Sequence, residues 1–483
     1  MITLAASAAS PALGDTVAET RIQNVLSQVL AGSVSIECPN LRLKYIEVDR
    51  YDGLVDILKA EMQEEEWEPR INYREGVRRL PRLQTLPQPS SGVAIDPDGH
   101  YLLVGGFGGV GREIVNWLRL KGVRTVSLVS RSAHYPLAHA DWLDTLTRDG
   151  IGVSCHVGDV TDIASFSGAI EAARAAAGNI SGVFFLPTYS DDGTFVQTSW
   201  ERFTRSLRPK LVGVANLCEL LKGQAPDFVM CASSISALAT PPGLSAYAAA
   251  NALMEAIAHR YRERGLKLHV VQFGPWEGTG MMEHLPDKQQ QRMIDYGLLP
   301  ATANAMCEGM EHAIVCATSS VLVARLDWDK IAESRARLGF PRLQIVDQSG
   351  ISVASPSPQF SAEIAERIRQ APAAERFFML REYLRAQVSK VLRVKDEAAL
   401  FGDVGFFELG MDSIMALELK RTIEFELGVT VPVTVVFNYS SVDAMADYLH
   451  MAHFALPKEV PEALSLDDME TEKLAALLAA QIQ

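Results

Sequence analysis

From His100 onward, short runs rich in β-branched and aromatic residues alternate with longer amphipathic stretches, and this alternation constrains the fold more than any other feature. The runs are YLLVGG (101–106), TVSLVSR (125–131), GVSCHV (152–157), GVFFLP (182–187), DFVMCAS (227–233) and LHVVQFG (268–274), and helix-length segments separate them. Repeated strand–helix–strand units of this kind build a parallel sheet covered on both faces, the doubly wound α/β class.

The 483 residues suit about two to four domains. Residues 1–95 combine a strand-like LRLKYIEVD, an acidic helix-like LVDILKAEMQEEEWEPR and a basic, extended INYREGVRRLPRL, with nothing catalytic in pattern. The α/β region fills 96–343, and the Ser-, Pro- and Gly-rich segment QSGISVASPSPQFS marks a linker over 344–374. A small helical domain is expected over 375–452 and a tail over 453–483. In that tail Ser465 and Asp468 stand at capping-box spacing before Leu474, Leu477, Leu478 and Ile482, a pattern that predicts a short amphipathic docking helix.

Composition narrows the function. No apolar run approaches the roughly 18 residues that span a bilayer, so no membrane association is expected. The first basic residue is Arg21, which gives no basic start for a secretory signal and places the chain in the cytoplasm. The net charge of -14 argues against nucleic-acid binding, which needs clustered Lys and Arg. The six cysteines show no CxxC spacing, so they read as buried small hydrophobes, and no metal site is expected.

Gly105, Gly106, Gly108, Gly109 and Gly111 follow the first strand and precede the helical run REIVNWLRLKG. Glycines here let the backbone approach a pyrophosphate at the positive end of a helix, so the reading becomes a Rossmann-like, dinucleotide-binding sheet. The second strand ends in Ser130-Arg131, where an Arg accommodates a 2'-phosphate and favours NADPH over NADH. Asp159, at the end of the third strand, is a candidate for the adenine pocket and equally a turn former.

Ser234 follows a strand, Tyr247 stands thirteen residues later, and Asn251 shares its helix face four residues on. In CASSISALATPPGLSAYAAANALMEAIAHRY the sequence resembles the short-chain dehydrogenase/reductases. SLRPKLVGVANLCELL is similar, more narrowly, to the ketoreductases of modular polyketide synthases, and FGPWEGTGMM resembles their cofactor-covering loop. The resemblance implies that Tyr247 protonates a ketone, that Ser234 hydrogen-bonds it, that Lys210 lowers the Tyr pKa and contacts the cofactor, and that Asn251 supports a relay water. It implies reduction of a carrier-bound β-ketoacyl thioester, with the Asp191-Asp192 pair orienting substrate toward a D-alcohol; Ala239 stands where the opposite class has Trp. Leu186-Pro187-Thr188 departs from the family's usual turn beside the nicotinamide ribose, and Val104 from a common Thr. The departure at Leu186 leaves open a catalytically silent reductase fold beside a carrier, and a reductase of free ketones with an interaction module is a second alternative.

FFELGMDSIMALELKRTIEFELGVTVPVTVVFNYSSVDAMADYL places Ser413 at a helix start and resembles the four-helix acyl carrier domains of polyketide synthases. That resemblance implies covalent 4'-phosphopantetheine on Ser413, added by a phosphopantetheinyl transferase, with other synthase domains or modules as partners. Residues 1–95 look shorter than the family's usual structural subdomain, which implies a piece of a longer protein.

Overall fold

The computed structural model describes residues 2–6, 14–37, 43–49, 53–64, 68–87, 95–191, 193–224, 226–241, 243–280, 283, 287–331, 345–346, 352–353, 363–392, 404–411, 413–432 and 435–454. The chain falls into two compact units, Met1–Phe360 with Ser413–Phe425, and Ser361–Asp412 with Glu426–Gln483. The docking helix expected in the tail lies outside the described residues, as do Asp192 and Cys38.

The first unit opens with a small sheet. Strands β1 (Ile2–Ala6), β2 (Lys44–Val48) and β3 (Arg70–Arg74) run parallel, and β4 (Val77–Arg79) turns back antiparallel on β3. Glu75 and Gly76, with φ of 52° and 77°, make the two-residue turn whose twist suits a hairpin. The basic segment read as extended is therefore this hairpin followed by the short β5 (Leu83–Gln84). Helix α1 (Gly14–Glu37) precedes β2, and α2 (Leu54–Gln63) lies between β2 and β3.

The main sheet has seven strands. They are β6 (His100–Val104), β7 (Thr125–Ser130), β8 (Gly152–Val157), β9 (Gly182–Phe185), β10 (Phe228–Ser234), β11 (Leu268–Phe273) and, beyond the short β12 (Leu298–Leu299), β13 (Ser320–Val323). Their order is β13-β11-β10-β9-β6-β7-β8, parallel throughout. Every residue of β6 and β9 is buried, as central strands covered on both faces must be, whereas edge strand β8 has no fully buried residue.

Side chains divide by face. Tyr101 and Leu103 point into one core with Ile114, Val115 and Leu118 of α3 (Gly109–Leu120). The short α4 (His134–Ala138) and α5 (Ala140–Arg148) follow β7 in the chain. Leu102 and Val104 enter the other core, against Phe166 and Ile170 of α6 (Ile163–Ala177), Val214 and Leu217 of α7 (Trp200–Leu220), and Met254 and Ile257 of α8 (Ser245–Glu263). Helix α1 brings Val25, Leu26, Val29 and Leu30 onto Phe203, Leu207 and the alanines of α8. Cys218, Cys231 and Cys307 are buried in these layers, while Cys155 is exposed and Cys316 half-buried.

In the second unit, the helix Ala373–Leu392 buries Leu380, Leu384, Val388 and Leu392. Opposite lie Met445, Ala446 and Leu449 of the helix Val442–Leu449, which Ser441 caps through the Ala444 N–H at 3.2 Å. The ion pair Arg381–Asp443, 2.6 Å, links the same two helices. The helix Ser413–Leu427, whose residues as far as Phe425 fall with the first unit, buries Met415, Ala416, Leu419, Ile423 and Leu427. Among the described residues no helix is long and apolar enough to cross a membrane, and no group of three or more His, Cys, Asp or Glu side chains is arranged to hold a metal ion.

Candidate active site

The sequence of strands reverses direction across the sheet between β6 and β9, and in such sheets the crevice beyond the strand ends at that point receives the ligand. The glycine turn sits there. Gly105 holds φ +84°, a left-handed value that strains any side chain, and its N–H donates to the Val129 carbonyl at 2.9 Å. A Cβ on Gly109 would stand 2.2 Å from Thr279 Oγ1, so only glycine admits the Thr279–Gly280 loop over the start of α3. Gly108 is the N-cap of α3 and provides no side-chain hydrogen bond, so the first-turn N–H groups keep their donor capacity. Gly106 and Gly111 complete the turn. A backbone cradle at an uncapped helix start fits a pyrophosphate.

Ser130 and exposed Arg131 end β7; Ser130 Oγ donates to the Ser132 carbonyl at 3.0 Å. Asp159 accepts from the Thr161 N–H and hydroxyl, each at 2.8 Å. Those bonds, the backbone one foremost, hold its carboxyl below the usual range, with Arg131 adding to the effect. The Leu186-Pro187 peptide lies against Gly105: the Leu186 N–H donates to the Val104 carbonyl at 2.9 Å, and a Cβ on Gly105 would be 3.4 Å from Leu186 C.

The acid–base candidates lie on α7, at the end of β10 and at the start of α8. Lys210, 3% exposed on α7, donates from Nζ to the Ala232 carbonyl at 2.6 Å. Burial pulls its ammonium down to about 8 while Cys231 and Glu255 act in the opposite sense. Ser234 is the last residue of β10 and caps the short turn Ile235–Ala237, with Oγ accepting from the Ser236 N–H at 3.1 Å. Its own hydroxyl hydrogen remains available to donate. Tyr247 is half-buried in the first turn of α8. Asn251, fully buried one turn on, donates from Nδ2 to the Tyr247 carbonyl at 2.9 Å, and its Oδ1 has no protein partner.

Asp191 is bound to Arg202 of α7 by two hydrogen bonds, 3.0 Å from Nε and 2.5 Å from Nη2, and this pairing holds its carboxyl below the ordinary value. Ser413 is the first residue of its helix.

Two acidic residues at the site were not legible in the sequence. Glu37, at the end of α1, accepts from the Phe195 N–H at 2.5 Å and the Gly243 N–H at 3.0 Å, tying together the loops that lead into α7 and α8. Burial raises its carboxyl above the ordinary range against these bonds. Glu255 lies on α8 one turn beyond Asn251 and accepts from Ser233 and Gln272. Only their distant partners distinguish these residues from the chain's other acids.

Comparison with known proteins accounts for both parts of the chain. Residues 99–278 match the KR domain family and residues 382–449 the phosphopantetheine attachment site family. Polyketide synthase GfsA of Streptomyces halstedii is 29% identical over 376 residues, which cover 77% of this chain and 5% of that protein. A phenolphthiocerol/phthiocerol polyketide synthase polypeptide of Mycobacterium bovis is 28% identical over 393 residues, 79% of this chain and 24% of its own length. The chain thus spans a small part of these relatives. Among solved structures, a ketoreductase from the first module of phoslactomycin biosynthesis in Streptomyces sp. HK803 superposes with a TM-score of 0.59 at 26% identity, covering 75% of this chain and 80% of that one. The first ketoreductase of the tylosin synthase gives 0.60 at 22% identity, covering 71% and 73%, a likeness of fold.

Proposed function

We propose, for a chain in which residues 99–278 are a KR domain and 382–449 a phosphopantetheine-attachment domain of the polyketide synthase kind, that it reduces a β-ketoacyl thioester to the β-hydroxyacyl thioester with NADPH. The substrate rides on a phosphopantetheine arm at Ser413, installed by a phosphopantetheinyl transferase. We assign residues 1–95 to a structural subdomain, 96–343 to the reductase, 344–374 to a linker and 375–452 to the carrier.

The observation that carries this reading is the buried Lys210 bound to the Ala232 carbonyl next to Ser234 at the end of β10, with Tyr247 and Asn251 on the following α8 and an uncapped glycine turn after β6. NADPH, when bound, supplies the hydride, and the turn Gly105–Gly111 with Ser130 and Arg131 would hold it. Tyr247 gives its phenolic proton to the ketone oxygen, and Ser234 donates its free hydroxyl hydrogen to the same oxygen. The Lys210 ammonium favours the phenolate that Tyr247 becomes, and it stays mostly charged at neutral pH with a pKa of about 8. Asn251 offers Oδ1 as an acceptor in the path that returns a proton to Tyr247. Asp191, steadied by Arg202, orients the substrate so that hydride delivery gives the D-alcohol. Tethering makes the encounter intramolecular, at an effective concentration on the order of millimolar for a flexible linker.

Tyr247→Phe tests the assignment. NADPH binding, followed by cofactor fluorescence, should persist while turnover of a β-ketoacyl thioester falls by roughly 10² to 10⁴. Turnover within tenfold of the parent would remove Tyr247 from the mechanism. Chiral chromatography of the released hydroxy acid reads the configuration, and an L-alcohol would overturn the role given to Asp191.

A further inference from the structure

The last three residues of β10 each have a different partner. The Ala232 carbonyl accepts from Lys210 Nζ at 2.6 Å, the Ser233 hydroxyl donates to Glu255 Oε1, and Ser234 Oγ accepts from the Ser236 N–H at 3.1 Å. Gln272 of β11 donates from Nε2 to both carboxylate oxygens of Glu255, at 3.1 and 2.9 Å, and Gln272 is paired in register with Ser233. Glu255 therefore binds two adjacent strands at the level of the reacting groups. It also continues the face of α8 that carries Tyr247 and Asn251, at successive intervals of four residues.

Its electrostatic surroundings are equally defined. The charged groups acting on it are Lys210 from α7 and Arg70 from β3, alongside the two neutral donors; Cys231 of β10 acts on Lys210. Burial raises the Glu255 carboxyl to about 7, while Ser233, Gln272, Lys210 and Arg70 all work to keep it ionised.

We propose that Glu255 is a positioning residue of the reductase site, which fixes the Ala232–Ser234 strand end through Ser233 and Gln272 and supplies the counter-charge that keeps Lys210 an ammonium. The proposal rests on the reductase reading for its kinetic consequence and on Lys210 alone for its electrostatic one. A carboxylate near a buried ammonium favours the protonated form, so neutralising it lowers the lysine pKa.

The test compares Glu255→Gln, which keeps the shape and removes the charge, with Glu255→Asp, which keeps the charge on a shorter arm. Glu255→Gln should cut kcat about tenfold with little change in NADPH affinity, and move the alkaline limb of the pH–rate profile to lower pH by about one unit. Glu255→Asp should restore the limb in part. A merely structural role would lower the melting temperature and leave the limb in place.

A second measurement needs no turnover. In protein carrying ¹³C-labelled lysine, the NMR titration midpoint of Lys210, assigned by its absence from Lys210→Arg, should fall in Glu255→Gln. It should fall by a smaller amount in Arg70→Met, which removes a cation that keeps Glu255 ionised and serves if Glu255→Gln does not fold. An unmoved Lys210 midpoint overturns the proposal whether or not the parent protein turns over. Parent inactivity together with a shifted midpoint would sink the reductase reading and leave the Glu255–Lys210 link standing.

Discussion

Arg131 and Lys210, the two cations assigned to the cofactor in the proposed reductase, sit in opposite surroundings. Arg131 is exposed at the end of β7, where its guanidinium can reach a 2'-phosphate without first being desolvated. Arg131→Ala should therefore weaken NADPH binding, measured by fluorescence titration, by about tenfold or more and leave NADH binding nearly unchanged. Equal losses would mean that Arg131 does not read the phosphate. Lys210 is buried, so its charge depends on its neighbours and its effect should be pH-sensitive where that of Arg131 is not. Glu37 acts on the same site from outside the main sheet, holding the Phe195 and Gly243 N–H groups. Glu37→Ala leaves those buried donors unpaired, which costs about 1–3 kcal/mol in urea unfolding and loosens the loops that lead into α7 and α8.

Among the elements, the ones most legible in the sequence are those whose environment is uniform. HYLLV and GVFF are buried on both faces, so each reads as an unbroken apolar run, and the structure places both as central strands. SVLV at 320–323 is an edge strand with no fully buried residue, and its pattern alone does not mark it as a seventh strand. Helix α1 interleaves its Val, Leu and Ile residues with Ser, Thr and Gly, and its role emerges only when it packs on α8. The hairpin β3–β4 is secured by partners the sequence does not pair. Glu61 accepts from Tyr73 at 2.8 Å, Arg78 Nε at 2.6 Å and Lys44 Nζ at 3.2 Å, drawing β2, β3 and β4 onto α2. Burial works to raise its carboxyl, and the donors prevail and hold it below the ordinary range. Removing one partner of a buried pair costs about 3–5 kcal/mol, so Glu61→Ala should lower unfolding stability by that order.

A second cross-strand device makes a pH prediction. His100 Nδ1 donates to the Gly178 carbonyl at 3.2 Å, its Nε2 meets Ser127 Oγ at 2.7 Å, Ser127 meets Ser154 at 2.6 Å, and Ser154 meets His156 Nε2 at 2.9 Å. Burial first, with smaller electrostatic contributions, lowers the pKa of both histidines in the folded state. The unfolded chain therefore takes up protons first as pH falls. The contribution to stability is complete above the unfolded value of 6.5, and it declines between that value and the lower folded-state pKa. Urea unfolding at pH 8 and pH 5.5 should show this loss, and His100→Asn should reduce it.

At the scale of the whole molecule, the carrier assignment depends on one hydroxyl at a helix start, where the positive end of the helix favours a phosphodiester. Incubated with CoA and a broad-specificity phosphopantetheinyl transferase, the chain should gain the mass of one phosphopantetheine, and Ser413→Ala should gain none. An unmodified parent chain would refute the assignment. The chain's main sheet and glycine turn were legible because local pattern dictates them, whereas the anchoring of the site by Glu37 and Glu255 was not, because it depends on contacts between distant segments.

The packing of α1 on α8 also sets a timetable for synthesis. Glu37 finds its Gly243 partner 206 residues later in the chain, and at about 5–20 residues per second the ribosome takes on the order of 10–40 s to deliver it. Throughout that interval the Val25, Leu26, Val29 and Leu30 stripe has emerged without the surface it will cover. Ribosome-bound intermediates arrested before residue 243 should therefore present that stripe to a hydrophobic probe.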